Sequence, residues 1–291
     1  MVSARSCDLH LHSTASDGTD APAALAALAR DAGLSAFALT DHDTTAGLSD
    51  AAAAAEAIGI PFVPGIELSA DPTLGGAAEA RGTLHVLGYF VRHDDPQLQQ
   101  LEEWLREARA QRNPRIIERL NELGVDIDND EVEAVAGGQV VGRPHIAQVL
   151  VKKGYVRSVH EAFARYIGEG AVAHVRKDRL AAADAIAAIH HAGGLAALAH
   201  PVQLHLPDPE ELEPIVARLV MLGLDGIETH HSDHTAADVK RFERIAKRHG
   251  LVTTGGSDYH GTRKATHLGE PRVPLAVYEA LVEAHRQRMG V

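Results

Sequence analysis

His10 and His12 are spaced for metal chemistry. They close the run Cys7-Asp8-Leu9-His10-Leu11-His12, which is short, mostly apolar and followed by a loop, Ser13 to Gly18, so it reads as a strand. Side chains two apart on a strand point the same way, so both imidazoles leave one face together and make half a metal site. A bare His-x-His pattern is easily matched, and its weight comes from the other donors along the chain. His42, Glu67, His200, Asp258 and His260 fall at or just past the carboxyl end of an expected strand; His85 lies within one and Asp17 in the first loop. Singly, each has an ordinary explanation: Asp17 a turn former, Asp258 a helix cap, His85 a core histidine. Together, at corresponding positions of successive units, these donors exceed what one tetrahedral ion uses and suit a cluster of two or three divalent ions. Imidazole and carboxylate accommodate Mn, Zn and Fe alike.

The elements that must position them alternate. Strands are expected at 7–12, 35–40, 61–67, 84–90, 171–174, 195–199, 226–230 and 251–255, most of them followed by an Ala-rich or amphipathic helix that stops at Gly33, Gly59, Gly193, Gly223 or Gly250. The prolines of 61–67 point to strand ends or an irregular edge. Strand–helix repetition argues for a parallel sheet, and about seven units for a closed α/β barrel whose strand ends converge on one mouth. From 96 to 168 no strand is evident, and helical runs at 98–123, 128–136, 144–153 and 159–167 read as a helical insertion, a cap over the substrate. The barrel is then 1–95 with 169–291.

Composition narrows the function. With 291 residues and 45% hydrophobic content a large core is affordable, and the net charge of −12 disfavours non-specific binding of long nucleic acid. An anionic substrate would need a local positive site, which metal ions provide. One cysteine, Cys7, rules out an intrachain disulfide, and its place before the ligand pair reads as core rather than nucleophile. No run is long and apolar enough for a membrane span or signal, so a cytoplasmic protein is expected.

The segments Asp8-Leu9-His10-Leu11-His12-Ser13, Ser16-Asp17-Gly18, Thr40-Asp41-His42-Asp43, Gly65-Ile66-Glu67, His85, Ala199-His200-Pro201 and Gly256-Ser257-Asp258-Tyr259-His260 resemble the PHP (polymerase and histidinol phosphatase) family of metal-dependent phosphoesterases. Gly142-Arg143-Pro144-His145-Ile146-Ala147 and the stretch from Tyr155 to Phe163 are similar to its stand-alone branch acting on nucleotides, including nucleoside 3′,5′-bisphosphates and short RNA 5′ ends. The resemblance implies a distorted (β/α)7 barrel of the PHP type with a trinuclear centre. It implies one ion on His10, His12, Glu67 and Asp258, a second on Asp17, His42 and His260, and a third on Glu67, His85 and His200, with Glu67 bridging. A water bridging the ions, ionised near neutral pH, would attack phosphorus in line.

Outside that set, Arg143 at a helix start, with His145 beside it, is a candidate for a second phosphate, and Lys177 for a further contact. His230 is a candidate substrate contact at the mouth, and His234 a candidate acid for the leaving group. The expected partner is a small phosphorylated molecule, a nucleotide or short RNA. Histidinol phosphate or a cyclic phosphate is the alternative ester. An amidohydrolase-type C–N hydrolase or a non-catalytic metal-binding module is the alternative class.

Overall fold

Short apolar runs separated by Ala-rich helices assemble one eight-stranded sheet. The computed structural model describes residues 5–73, 80, 82–136, 141–175 and 180–290. The strands are β1 (Ser6–Asp8), β2 (Ala36–Leu39), β3 (Phe62–Ala70), β4 (Leu84–Tyr89), β5 (Leu195–Leu198), β6 (Gly226–His230), β7 (Val252–Gly255) and β8 (Val273–Pro274). Their order is β7-β6-β5-β4-β3-β2-β1-β8. The helices are α1 (Pro22–Asp31), α2 (Leu48–Ile58), α3 (Pro96–Glu122), α4 (Asn129–Ala136), α5 (Arg143–Lys152), α6 (Val159–Ala162), α7 (Ala182–His191), α8 (Leu212–Met221), α9 (Ala236–His249) and α10 (Leu275–Met289).

Closure occurs beyond the regular strands. Past β1 the chain still accepts from Thr40 N–H, just after β2, and on its other side pairs with the segment after β7. Leu9 N–H donates to the Gly255 carbonyl (3.0 Å), Asp258 N–H to that of His10 (2.9 Å), and His12 N–H to that of Tyr259 (2.9 Å). Gly256 makes this approach possible, because a Cβ there would lie 2.4 Å from the His10 backbone nitrogen. The two ligand-bearing ends of the chain, near residues 10 and 258, are thereby held side by side.

Three expectations change. The sheet is not wholly parallel: β4 runs antiparallel to both β3 and β5. Among the described residues no helix links β3 to β4, and a strand that returns without a crossover must run back antiparallel. Of the prolines expected at strand ends or an irregular edge, Pro61 does precede β3, but Pro64 lies within it and marks no edge, since β3 is paired on both sides. Pro64 is the last partner of β2, and pairing to β4 starts at Gly65, so its missing N–H falls at the changeover. The strand expected at 171–174 is instead a series of turns. Ala173 N–H donates to the Tyr166 carbonyl, and Ala173 and Val175 are buried in a helical core.

The chain packs as two compact units, one of Met1–Leu101 with Leu180–Val291 and the other of Glu102–Arg179, and most of the insertion expected at 96–168 falls in the second. The second unit's core is built from Ile116, Leu120, Ile146, Leu150, Val156 and Ile167. In the first unit, Leu9, Ile66, Leu87, Tyr89 and Ala197 are fully or almost fully buried, each Leu or Ile stabilising the barrel by about 1.5–3 kcal/mol. Among the described residues no helix is long and apolar enough to cross a membrane.

Candidate metal centre

Strand ends put the donors around one carboxylate. Glu67, central in β3 and fully buried, has five imidazoles against its two oxygens. Oε2 faces His10 Nε2 (3.3 Å), His12 Nε2 (3.2 Å) and His42 Nδ1 (3.0 Å). Oε1 faces His85 Nδ1 (2.8 Å) and His200 Nε2 (2.9 Å). Asp258 lies on the other side, its Oδ1 3.2 Å from His12 Nε2 and 3.7 Å from His10 Nε2. Asp17 Oδ1 is 3.2 Å from His260 Nε2 and 3.9 Å from His12 Nδ1. The nine residues singled out from the sequence therefore share one basin.

The loops are held by acids just outside the basin. Asp41 accepts from Ser13 N–H (2.8 Å), Ser13 Oγ (2.6 Å) and Ser16 Oγ, which sets the loop carrying Asp17. Asp8 accepts from the backbone N–H groups of Ser257 (2.9 Å) and Gly269 (2.7 Å), fixing the turn into Asp258. His200 (φ 23°) and Asp258 (φ 56°) adopt positive φ without being glycine, a strain of about 1–3 kcal/mol each that surrounding contacts must hold.

Charge in the basin is strongly coupled. Burial pushes the Glu67 carboxyl up, but His42, His85 and His10 overcome it and hold it well below the usual range. Burial likewise opposes ionisation of Asp258, and Lys264 and His260 reverse that; for Asp17 the reversal comes from His260 and His42. Burial lowers His42 to about 3 and His200 to about 4, so both rings are neutral at pH 7. His12 goes the other way, to about 9, because Asp258 and Glu67 outweigh its burial.

This donor set fits divalent ions. Four groups each have ligand atoms within 4.8 Å of one another: His12, Asp17, His42 and His260; His10, His12 and Glu67; His10, His231 and Asp258; His42, Glu67 and His85. Buried ring nitrogens of His12 (both), His42 (Nδ1), His200 (Nδ1) and His231 (Nε2) have no hydrogen-bond partner. Buried polar atoms are ordinarily satisfied, so the orphaned nitrogens of His12, His42 and His231, which face Asp17, Glu67 and Asp258, are what a ligand shell looks like. Relative to the division the resemblance implies, the geometry adds His12 to the Asp17 group and sets His231 beside His10 and Asp258.

Other candidates fall elsewhere. His230 is half-buried, with Nδ1 2.9 Å from Thr229 Oγ1, and is not in these groups. A register shift between Glu228 and His230 breaks the strand alternation, so His231 takes the inward place. His231 Nε2 is 3.5 Å from Asp258 Oδ2. His234 Nδ1 donates to the Thr229 carbonyl (2.9 Å), and its ring centroid is 5.1 Å from that of His231. Arg143 and His145 belong to the second unit. There the Arg143 guanidinium lies over the Phe163 ring and donates to the Ile167 carbonyl, and His145 Nδ1 accepts from Gly142 N–H (2.9 Å). Lys177 lies outside the described residues. Two residues were missed from sequence: Glu228, fully buried behind His10, and Lys264, whose ammonium contacts Asp258 Oδ2. Cys7 is buried, and burial pushes its thiol up to about 12, consistent with a core role.

An α/β barrel with this basin at its strand ends is a metal-dependent phosphoester hydrolase, and the comparisons with known proteins agree. The family model described as PHP domain matches residues 8–214, and the chain belongs to the PHP domain family. It is 37% identical over 270 residues to the phosphoribosyl 1,2-cyclic phosphate 1,2-diphosphodiesterase of Eggerthella lenta, covering 92% of this chain and 98% of the relative. It is 34% identical over 253 residues to a 5′-3′ exoribonuclease of Haemophilus influenzae, covering 87% and 89%. A solved structure from Bifidobacterium adolescentis, described as a metal-dependent phosphoesterase, superposes with a TM-score of 0.84 at 32% identity over 96% of both chains.

Proposed function

We propose that the protein hydrolyses phosphate esters of small phosphorylated ribose compounds, using two or three divalent transition-metal ions held by His10, His12, Asp17, His42, Glu67, His85, His200, Asp258 and His260. The observation that carries this reading is the buried Glu67 carboxylate ringed by five imidazoles. A ribose phosphate is the feature common to the two relatives, one named for a phosphoribosyl cyclic phosphate and the other for RNA. A nucleoside 3′,5′-bisphosphate or a short oligoribonucleotide is the substrate favoured here, and the cytoplasm the compartment.

When bound, the ions supply Lewis acidity towards phosphoryl oxygens and acidify water. The chain's own groups do the rest. His10, His12 and Glu67 form the fully buried floor, whereas the side chains of Asp17, His42 and His85 stay 16–18% exposed and form the rim a phosphate meets first. Lys264, with its side chain 41% exposed, brings an ammonium to Asp258 at that rim. It is the cation we assign to a non-bridging oxygen of the substrate.

A product-release screen in Mn²⁺ tests the substrate class, reading inorganic phosphate from nucleoside 3′,5′-bisphosphates and histidinol phosphate, the mononucleotide from short oligoribonucleotides, and the ring-opened monoester from a ribose cyclic phosphate. Release from the ribose esters is expected, and release from histidinol phosphate alone would contradict it. For Lys264→Ala, kcat/KM is expected to fall about 10- to 100-fold, the worth of one charge-assisted hydrogen bond, with metal content unchanged. Unaltered kinetics would remove Lys264 from the substrate site.

A further inference from the structure

Glu228 sits in the middle of β6, fully buried, and each of its oxygens has a partner. Oε1 is 3.0 Å from His10 Nδ1. Oε2 accepts from the backbone N–H of His200 at 2.7 Å. His10 is fully buried, and its other nitrogen, Nε2, points to Glu67 and Asp258. His200 is one of the non-glycine residues at positive φ. One carboxylate therefore touches two members of the basin from behind, one through its ring and one through its backbone.

We infer that Glu228 is a positioning residue of the metal centre, fixing the His10 proton on Nδ1 and tethering the strained backbone of His200. A carboxylate only accepts, so a neutral His10 must carry its hydrogen on Nδ1 and turn the Nε2 lone pair into the basin. The same carboxylate accepts the His200 N–H, which keeps that residue's ring directed at Glu67. Outer carboxylates that orient a ligand histidine in this way typically account for about 10- to 100-fold in metal affinity. This inference rests on the proposed metal centre.

Glu228→Gln separates the two functions with little change of shape. The amide oxygen can still accept from His200 N–H, which leaves the amide NH₂ facing His10 Nδ1. His10 Nδ1 must then accept, and the hydrogen moves to Nε2, the atom aimed at Glu67 and Asp258. Two readouts on ¹⁵N-histidine-labelled, Zn²⁺-loaded protein test this. In the wild type the His10 signal is expected to show Nδ1–H with Nε2 ligating; Nε2–H would overturn the inference, and this measurement needs no variant. In Glu228→Gln, Zn²⁺ affinity measured against a competing chelator is expected to fall at least about 10-fold with the circular dichroism of the stripped protein preserved. Wild-type affinity in the variant would also overturn it. If the wild type itself takes up no Zn²⁺, the metal-centre reading fails first.

Discussion

Glu67→Gln is expected to reduce phosphate release by on the order of 1,000-fold or more, the equivalent of about 4 kcal/mol of metal-derived transition-state stabilisation. The reason is local. Both oxygens of Glu67 are engaged, one by His10, His12 and His42 and the other by His85 and His200. Glutamine keeps the shape but replaces one acceptor with a donor and removes the charge. Whichever way the amide turns, two or three ring nitrogens face N–H hydrogens instead of a carboxylate. The barrel should survive the change, because its core of Leu9, Ile66, Leu87 and Tyr89 is untouched. Phosphate release by the variant, set beside its circular dichroism and metal content, checks this. A variant keeping more than about a tenth of wild-type turnover, less than 1.4 kcal/mol lost, would take Glu67 out of the centre of the account.

The second large effect concerns the ions themselves. Stripping them with a chelator should abolish turnover and lower the melting temperature by roughly 10 °C, as expected for a ligand present at far above its dissociation constant. Uptake should also release protons. His12 is raised to about 9 and His10 well above its ordinary value, so in the metal-free protein both rings are protonated at pH 7. A raised pKa means the metal-free state holds the proton that the ligand must lose, so apparent affinity should climb as pH rises from about 6.5 towards 9. His42 and His200, held at about 3 and 4, contribute nothing to that slope. Zn²⁺ added to stripped, weakly buffered protein should therefore acidify the solution at pH 7 and much less above pH 9. Affinity that stays flat over this range would show that the basin does not couple metal to proton in this way.

The basin was legible because its donors sit at strand ends, where a local pattern, such as His10 and His12 two apart, encodes a shared direction. What escaped notice depended on geometry that alternation does not carry. Glu228 looked like one more residue of an apolar strand, and only the pairing of β6 beside β5 puts it behind His10 and His200. The signal available was a lone acid in the middle of that strand. His230, His231 and His234 all follow that strand and were expected at the mouth, and only the register shift at its end separates His231, which reaches Asp258, from His230, which does not. Lys264 follows a turn after His260, and its reach to Asp258 has no sequence period. The fold was legible as β/α alternation, but the reversal of β4 was not, since an apolar run reads the same in either direction.

Metal content and ester hydrolysis measured on the same sample test the central claim most directly. Ions would be stripped, then returned in steps, with elemental analysis and turnover of a nucleoside bisphosphate or short oligoribonucleotide followed at each step. The account predicts background release without ions, recovery that tracks occupancy, and more than one transition-metal ion per chain at full activity. Full turnover from ion-free protein would contradict it.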